Sequence, residues 1–214
     1  MKAVNLELLL PADIPHGERI LWHGRPQWIS LARRAFRADY VAAYFGAVAA
    51  INFTIAGFSG GLAEAGLSAI KTLAAGAAAL SLLFLLAYLA SRTSLYVVTS
   101  RRVIMKIGIA LPIFLNLPFS SIAAAALHAY PDGTGEIPLA LAGGTHIAYL
   151  HLWPHARPFR LARPEPALRS VRDAAAVAQT LSRALVAAAE ETRAAGDRPT
   201  ADANAYSDAA VAAA

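Results

Sequence analysis

Two uncharged apolar runs, residues 40–58 and 72–90, constrain this chain more than any other feature. Each approaches the ~20 residues a helix needs to cross about 30 Å of hydrocarbon. Asn52, Thr54 and Ser81 are their polar interruptions, and such helices tolerate them. Gly46, Gly57 and Gly76, set among alanines, would allow close helix–helix approach. Two such runs are hard to bury in a soluble protein of 214 residues. The bulk numbers agree: charged residues make up 15% and mean hydropathy is +0.46, whereas soluble domains carry about 25% charge. The expected arrangement is two transmembrane helices, 40–58 and 72–90.

The charges orient this pair. The intervening residues 59–71 hold only Glu64 and Lys71, whereas Arg33, Arg34 and Arg37 precede the first run and Arg92, Arg101, Arg102 and Lys106 follow the second. Lys and Arg prefer the cytoplasmic side. The expectation is a multi-pass helical hairpin in the cytoplasmic (inner) membrane, with 59–71 as a periplasmic loop and both termini cytoplasmic. The same clustering sets aside nucleic acid as the target of the net charge of +5, because membrane boundaries already account for the arginines. Anionic membrane lipids are the expected partners of this charge. Residues 1–26 form an N-terminal cytoplasmic segment. Its apolar run is short and broken by Glu7, Asp13 and prolines, unlike a secretory signal.

Residues 27–39 lead into the first run. At helical spacing Trp28, Leu31, Ala32, Ala35 and Phe36 share one face, and Ser30, Arg33, Arg34 and Arg37 the other. That pattern fits an interfacial helix with arginines toward headgroups, or an ordinary amphipathic helix packed on the soluble part.

After the second run the periodicity changes to two. Leu95–Val98 and Val103–Ile107 are rich in strand formers, and residues 99–102 between them read as a tight turn. The turn would hold Arg101 and Arg102 near the membrane face. Strands are also expected at 112–116, 122–127, 136–141 and 145–152, with Asp132-Gly133-Thr134-Gly135 as a turn. Connections this short make an antiparallel meander. A proline-rich connector follows at 153–166. Residues 167–189 carry Leu168, Val171, Val177, Leu181 and Leu185 at helical spacing. The 190–214 stretch has little to bury and reads as a disordered tail. The fold class is α+β: a transmembrane hairpin and a small antiparallel β domain, 91–189, closed by a C-terminal helix.

Gly17-Glu18-Arg19-Ile20-Leu21-Trp22-His23-Gly24-Arg25-Pro26, with Tyr96-Val97-Val98-Thr99-Ser100-Arg101-Arg102-Val103-Ile104, resembles the bacterial membrane-anchored PH-like proteins. Leu111–Phe119, Pro131–Gly135 and Leu152-Trp153-Pro154-His155-Ala156-Arg157-Pro158 narrow the resemblance. They are similar to the PuhB family, the photosynthetic complex assembly proteins of purple bacteria. The resemblance covers roughly residues 16–185. It implies a PH-like domain to which residues 18–24 add a strand. It also implies a non-enzymatic assembly factor that binds reaction-centre and core light-harvesting subunits, with self-association as a homo-oligomer. The alternative is a general membrane-anchored PH-like module for lipid or protein.

Signs of catalysis or cofactor binding are lacking. Nucleotide-binding, zincin and serine-hydrolase motifs are absent, and zero cysteines rule out disulfides and thiolate chemistry. His151 and His155 are four apart, but Pro154 argues against the helix a metal pair would need. Asp132 and Glu136 read as a solvated loop rather than an acid/base pair. None of the six histidines lies in either run, so no stable pigment ligation is expected in the membrane. No cofactor, metal or catalytic residue is expected. The contact residues expected for partners or membrane are Trp22, Trp28, Arg33, Arg34, Arg37, Arg101, Arg102, Trp153, Pro154, Arg157 and Phe159. Trp153 with Pro154, Arg157 and Phe159 would form a docking surface, or the tryptophans would only anchor and pack.

Overall fold

The apolar half of the chain is one long helix, α2 (Ala38–Thr93), interrupted at a single residue. The computed structural model describes Pro15 and residues 17–109, 111–142, 153–155 and 165–196. In α2, Gly61 has φ 80° and ψ −176°, a conformation essentially closed to residues with a Cβ. The helical parts on either side touch. Asn52 Nδ2 donates to Thr72 Oγ1 at 3.0 Å, and a Cβ added to Gly76 would sit 2.8 Å from the Phe45 Cβ. Residues that far apart along one straight helix would be separated by roughly 30 Å or more. The parts before and after Gly61 therefore lie side by side, held closely by small residues and one polar pair. The stretch 59–71, expected as a loop, is helical apart from Gly61. Alanine, leucine and glutamate there are good helix formers, and one glycine suffices for the reversal.

The part after Gly61 continues into the β region, where α1 (Trp28–Arg34) packs against it. Leu31, Ala32 and Phe36 bury themselves on Ala87 and Ala90, with Leu83 and Phe84 beside them. The apolar face of the amphipathic segment is thus largely satisfied within the protein. Ser30, expected on its polar face, is buried and shares a 2.9 Å hydrogen bond with Thr134. Only Trp28 and Ile29 remain exposed at the helix start.

Among the described residues, the β region has two antiparallel sheets. The first runs β1 (Ile20–Gly24), β2 (Leu95–Thr99), β3 (Arg102–Ile107) and β4 (Ile113–Pro118), in that order. β1 pairs with β2 across the whole of α2 in sequence. In β3, Val103, Met105 and Ile107 point inward and alternate with less buried residues, the period of a strand with one covered face. The second sheet centres on β7 (Thr134–Leu141). β5 (Ile122–Ala125) and β6 (His128–Ala129) pair along it, and β8 (Ala167–Arg172) pairs with it too. Helix α3 (Ala174–Gly196) lays Val177, Leu181 and Ala184 onto a core shared by both sheets.

Three further expectations change. Residues 167–172 are strand, not helix. Leu168 and Val171 are three apart, which suits a helix face, but both are buried in β8. A bulge restores their phase: Leu168 faces Ile137 and Val171 faces Gly135, with Ser170 at φ 51° between. The start of the supposed tail, 190–196, continues α3. The β2–β3 turn lies one strand length from the end of α2, because β2 begins at Leu95 and ends at Thr99. Arg101 and Arg102 therefore do not flank the helix end. The expected strand 145–152, residues 197–214, His151, Arg157 and Phe159 lie outside the described residues.

Candidate functional site

Polar and aromatic side chains converge where α2 ends and the sheets begin. β1 ends at Gly24, and residues 25–27 cross the foot of α2. Two hydrogen bonds fix this crossing: Ser91 Oγ donates to the Pro26 carbonyl at 2.6 Å, and Gln27 N donates to the Ser170 carbonyl at 2.8 Å. The anchors have arginine neighbours. Arg25 precedes Pro26, Arg92 follows Ser91, and Arg172 lies just beyond Ser170. All three line one open cleft of about 750 Å³, with Trp22, Trp28 and Tyr88 among its walls. Gly24 shapes that wall. A Cβ there would come within 2.5 Å of the Trp22 ring, so only glycine lets the indole fold back over the strand end.

Arg25 and Arg92 also line a smaller recess of about 200 Å³, together with Lys106. Among the described residues, no carboxylate forms an ion pair with Arg25, Arg92, Arg172 or Lys106. Two of them lie against rings: Arg92 is 5.7 Å from the Tyr88 ring centre and Lys106 5.4 Å from that of Phe114. Among the described residues Asp173 is the one carboxylate lining the larger cleft, against Arg25, Arg92 and Arg172. Trp28 stands edge-on to both Phe84 and Tyr88, at 6.2 Å in each case.

The arginines that stand out in sequence are differently placed. Arg33 pairs with Asp39 at 3.0 Å, both exposed. Arg34 lies 4.2 Å from the Tyr130 ring centre. Arg37, at φ 57°, begins α2 and sits 5.2 Å from Tyr40. Arg102 grips Glu18 through Nε and Nη2, at 2.9 Å and 2.6 Å. Burial alone would raise the Glu18 carboxyl. Hydrogen bonds from Arg102 and Thr99, with the charges of Arg102 and Arg101, outweigh it and hold the carboxyl below its usual range. Arg101 stays exposed in the turn, its carbonyl accepting from Phe119 N.

Beneath the surface runs a polar network that the sequence does not announce. His155 is wholly buried, with Nδ1 2.6 Å from the Tyr96 hydroxyl and Nε2 2.9 Å from Ser94 Oγ. Arg169 N donates to the same tyrosine oxygen at 3.3 Å, so the Tyr96 hydroxyl joins His155 to the β8 backbone. Arg169 binds Glu136 Oε1 through Nε and Nη2 and reaches the Pro154 carbonyl through Nη1 at 3.1 Å. Glu136 is therefore buried and paired, not part of a solvated loop. Asp132, by contrast, accepts from Thr134 in its turn. Burial, then the Arg169 charge, push the His155 imidazole down to about 3, so it is neutral at physiological pH and both its nitrogens are occupied. Burial raises the Tyr96 phenol well above its ordinary range.

The network explains the posture of Trp153. Pro154 and His155 are tied down by Arg169, Tyr96 and Ser94, and the His155 carbonyl accepts from Ala167 N at 2.8 Å. Trp153 is left 45% exposed with one edge on Phe36, 5.1 Å between ring centres. The structure thus brings Trp22 and Trp28 to the cleft and Trp153 to the side of α1. It adds Arg25, Arg92 and Arg172, which sequence reasoning did not select. Arg25 lay inside the Gly17–Pro26 motif. Arg172 carried no signal.

Residues 44–185 match the bacterial PH domain family. An uncharacterised 23.7 kDa protein in the puhA 5′ region of Rhodobacter capsulatus is 35% identical over 184 residues, 85% of this chain and 86% of that protein. Among solved structures, a duf1696 family protein with a pleckstrin-homology domain from Shewanella loihica PV-4 aligns at 16% identity with a TM-score of 0.28. That alignment covers 42% of this chain and 68% of the other, too slight a likeness to carry an argument.

Proposed function

Because this chain belongs to the bacterial PH domain family, we propose that it acts by binding, as a membrane-held assembly factor for the photosynthetic reaction centre and core light-harvesting complex. The observation that carries this reading is the extended identity to the Rhodobacter capsulatus protein whose name locates it 5′ of puhA. The stretches at 111–119, 131–135 and 152–158 support the same role.

Helix α2 is the proposed anchor. Only 17% of its most apolar window is buried within the protein. Ile51, Ile55, Phe58, Leu62, Ile70 and Leu82 are all more than half exposed. A core helix of a soluble protein would be covered, whereas lipid would cover these side chains at no cost. The two parts of α2 then cross the inner membrane as a hairpin turning at Gly61, with both termini cytoplasmic. A reporter fused beside Glu64 is expected to be active only in the periplasm; cytoplasmic activity would reverse the topology.

Subunits would be held from two directions. The small-residue faces of α2 offer a contact within the membrane. Trp153, rigidly presented on Phe36, offers an aromatic anchor outside it, and self-association would use the same surfaces. A strain lacking the gene is expected to lose reaction-centre and core-antenna bands from the near-infrared spectrum of its membranes, with recovery when the gene is supplied in trans. An unchanged spectrum would leave the broader family role, a membrane-anchored PH-like binding module.

A further inference from the structure

We infer that the cleft at the foot of α2 is a binding site for a phosphate ester, and that its occupant is the headgroup of an anionic phospholipid. The inference rests on the membrane-spanning reading of α2. Three arginines from three separate elements enter one cleft: Arg25 from the β1–α1 connector, Arg92 from the last turn of α2 and Arg172 from the end of β8. Among the described residues, Asp173 alone stands against these, and none of the three arginines is ion-paired. Like charges gathered in this way repel unless an anion sits among them. The C-terminal dipole of α2 favours Arg92 but does not explain Arg25 or Arg172, which belong to other elements.

The site is built rather than incidental. Hydrogen bonds from Ser91 to Pro26 and from Gln27 to Ser170 fix the backbone beside each arginine. Gly24 is required for the Trp22 wall. Guanidinium groups suit phosphate because they present paired donors to its oxygens.

The aromatic side decides between a lipid and a soluble phosphate ester. Trp28 and Tyr88 form one wall and join Phe84 on the apolar part of α2. Tryptophan and tyrosine favour the level of the headgroups. A phosphodiester held by the arginines would have its acyl chains leave along that aromatic flank. A free phosphate ester would leave the flank unused.

The full-length chain, purified in neutral detergent, tests this by native mass spectrometry with equal phosphatidylglycerol and phosphatidylcholine. Preferential retention of phosphatidylglycerol is expected. R25Q/R92Q should reduce it roughly 25-fold, from about fivefold per arginine, while Arg183→Gln on the exposed face of α3 leaves it unchanged. Should the double variant unfold on heating earlier than wild type, Arg172→Gln alone should still lower retention about fivefold. Arginine-dependent binding of sn-glycerol 1-phosphate without lipid retention would keep the phosphate site but overturn the lipid occupant. Equal retention of both lipids, or retention untouched by the arginine variants, would overturn the proposal. Alkaline carbonate extraction separates this from the anchor. A wild-type chain stripped from vesicles refutes the spanning reading and the lipid occupant with it. A chain that resists extraction yet shows no lipid preference refutes only the cleft.

Discussion

Two sets of arginines in this protein differ in whether they converge: one is engaged singly by local partners, the other meets in one cleft. Arg33, Arg34, Arg37 and Arg102 are clustered in the sequence, and each has a partner in the folded chain: Asp39, the Tyr130 ring, the Tyr40 ring and Glu18. Arg25, Arg92 and Arg172 are scattered along the sequence, yet they meet in one cleft without a carboxylate partner among the described residues. The paired arginines of the first set secure the chain's own elements, although their neighbour Arg101 stays exposed in the turn. The charge left over for a ligand comes from residues with no sequence relation to one another. Arg169, buried against Glu136, is the extreme member of the first set.

The contrast can be broken most severely at that buried pair. Glu136→Ala leaves the Arg169 guanidinium uncompensated in the core, and is expected to cost about 3–5 kcal/mol. Thermal or denaturant unfolding followed by near-UV circular dichroism would read it. A loss below 1 kcal/mol would mean that water reaches the network.

At the β1 clamp, Glu18→Gln removes a charged acceptor from the two-pronged Arg102 contact. The expected loss is about 2 kcal/mol, within the range for hydrogen bonds to charged groups, and protease cleavage before Ile20 should accelerate. Unchanged protection would show that backbone pairing with β2 suffices to hold β1.

His155 gives a pH signature of similar size. The unfolded chain takes up a proton below about pH 6.5, whereas the folded imidazole stays neutral down to about 3. Its contribution is thus fully present above pH 6.5 and falls as pH drops through that window, at about 1.4 kcal/mol per unit well inside it. Between pH 6.5 and 5 the loss should approach 2 kcal/mol. The His155→Gln variant should be less stable at neutral pH but lack that slope. A slope that persists in the variant would assign it to other groups.

The free arginines should show the smallest effect on folding. Arg25→Gln is expected to change stability by no more than about 0.5 kcal/mol, as for a surface residue without a partner, while changing ligand binding as described above. A large destabilisation would place Arg25 with the committed set and end the comparison.

Much of the architecture was legible. The strands at 95–98, 103–107, 112–116 and 136–141 were visible from their strand-forming residues and flanking turns; β3 and β4 alternate over one covered face, whereas β2 is buried at every position. The resemblance at Gly17–Pro26 located the strand found at Ile20–Gly24. Where reading failed, the cause was local. Leu168 and Val171 mimic a helix face because a bulge shifts the phase of β8. Residues 27–37 have the pattern of a helix on lipid, but that pattern does not say which apolar surface will cover it, and here α2 covers most of it. Trp22 and Trp28, singled out in sequence for their chemistry, line the cleft, whereas Arg172, which lines it too, carried no sequence signal.

The sequence alone determined what short-range physics controls: the two apolar runs within α2, the strand-forming stretches and the Thr99–Arg102 turn, but not that residues 59–71 stay helical and reverse at Gly61. These follow from hydropathy and backbone preference over a few residues. Only the tertiary structure decided which charges are neutralised, that His155 is buried between Tyr96 and Ser94, and that Arg25, Arg92 and Arg172 share a cleft. Those outcomes depend on pairing β1 with β2 across the whole of α2 and on laying residues 25–27 over its foot. Such contacts join residues that no local preference can relate.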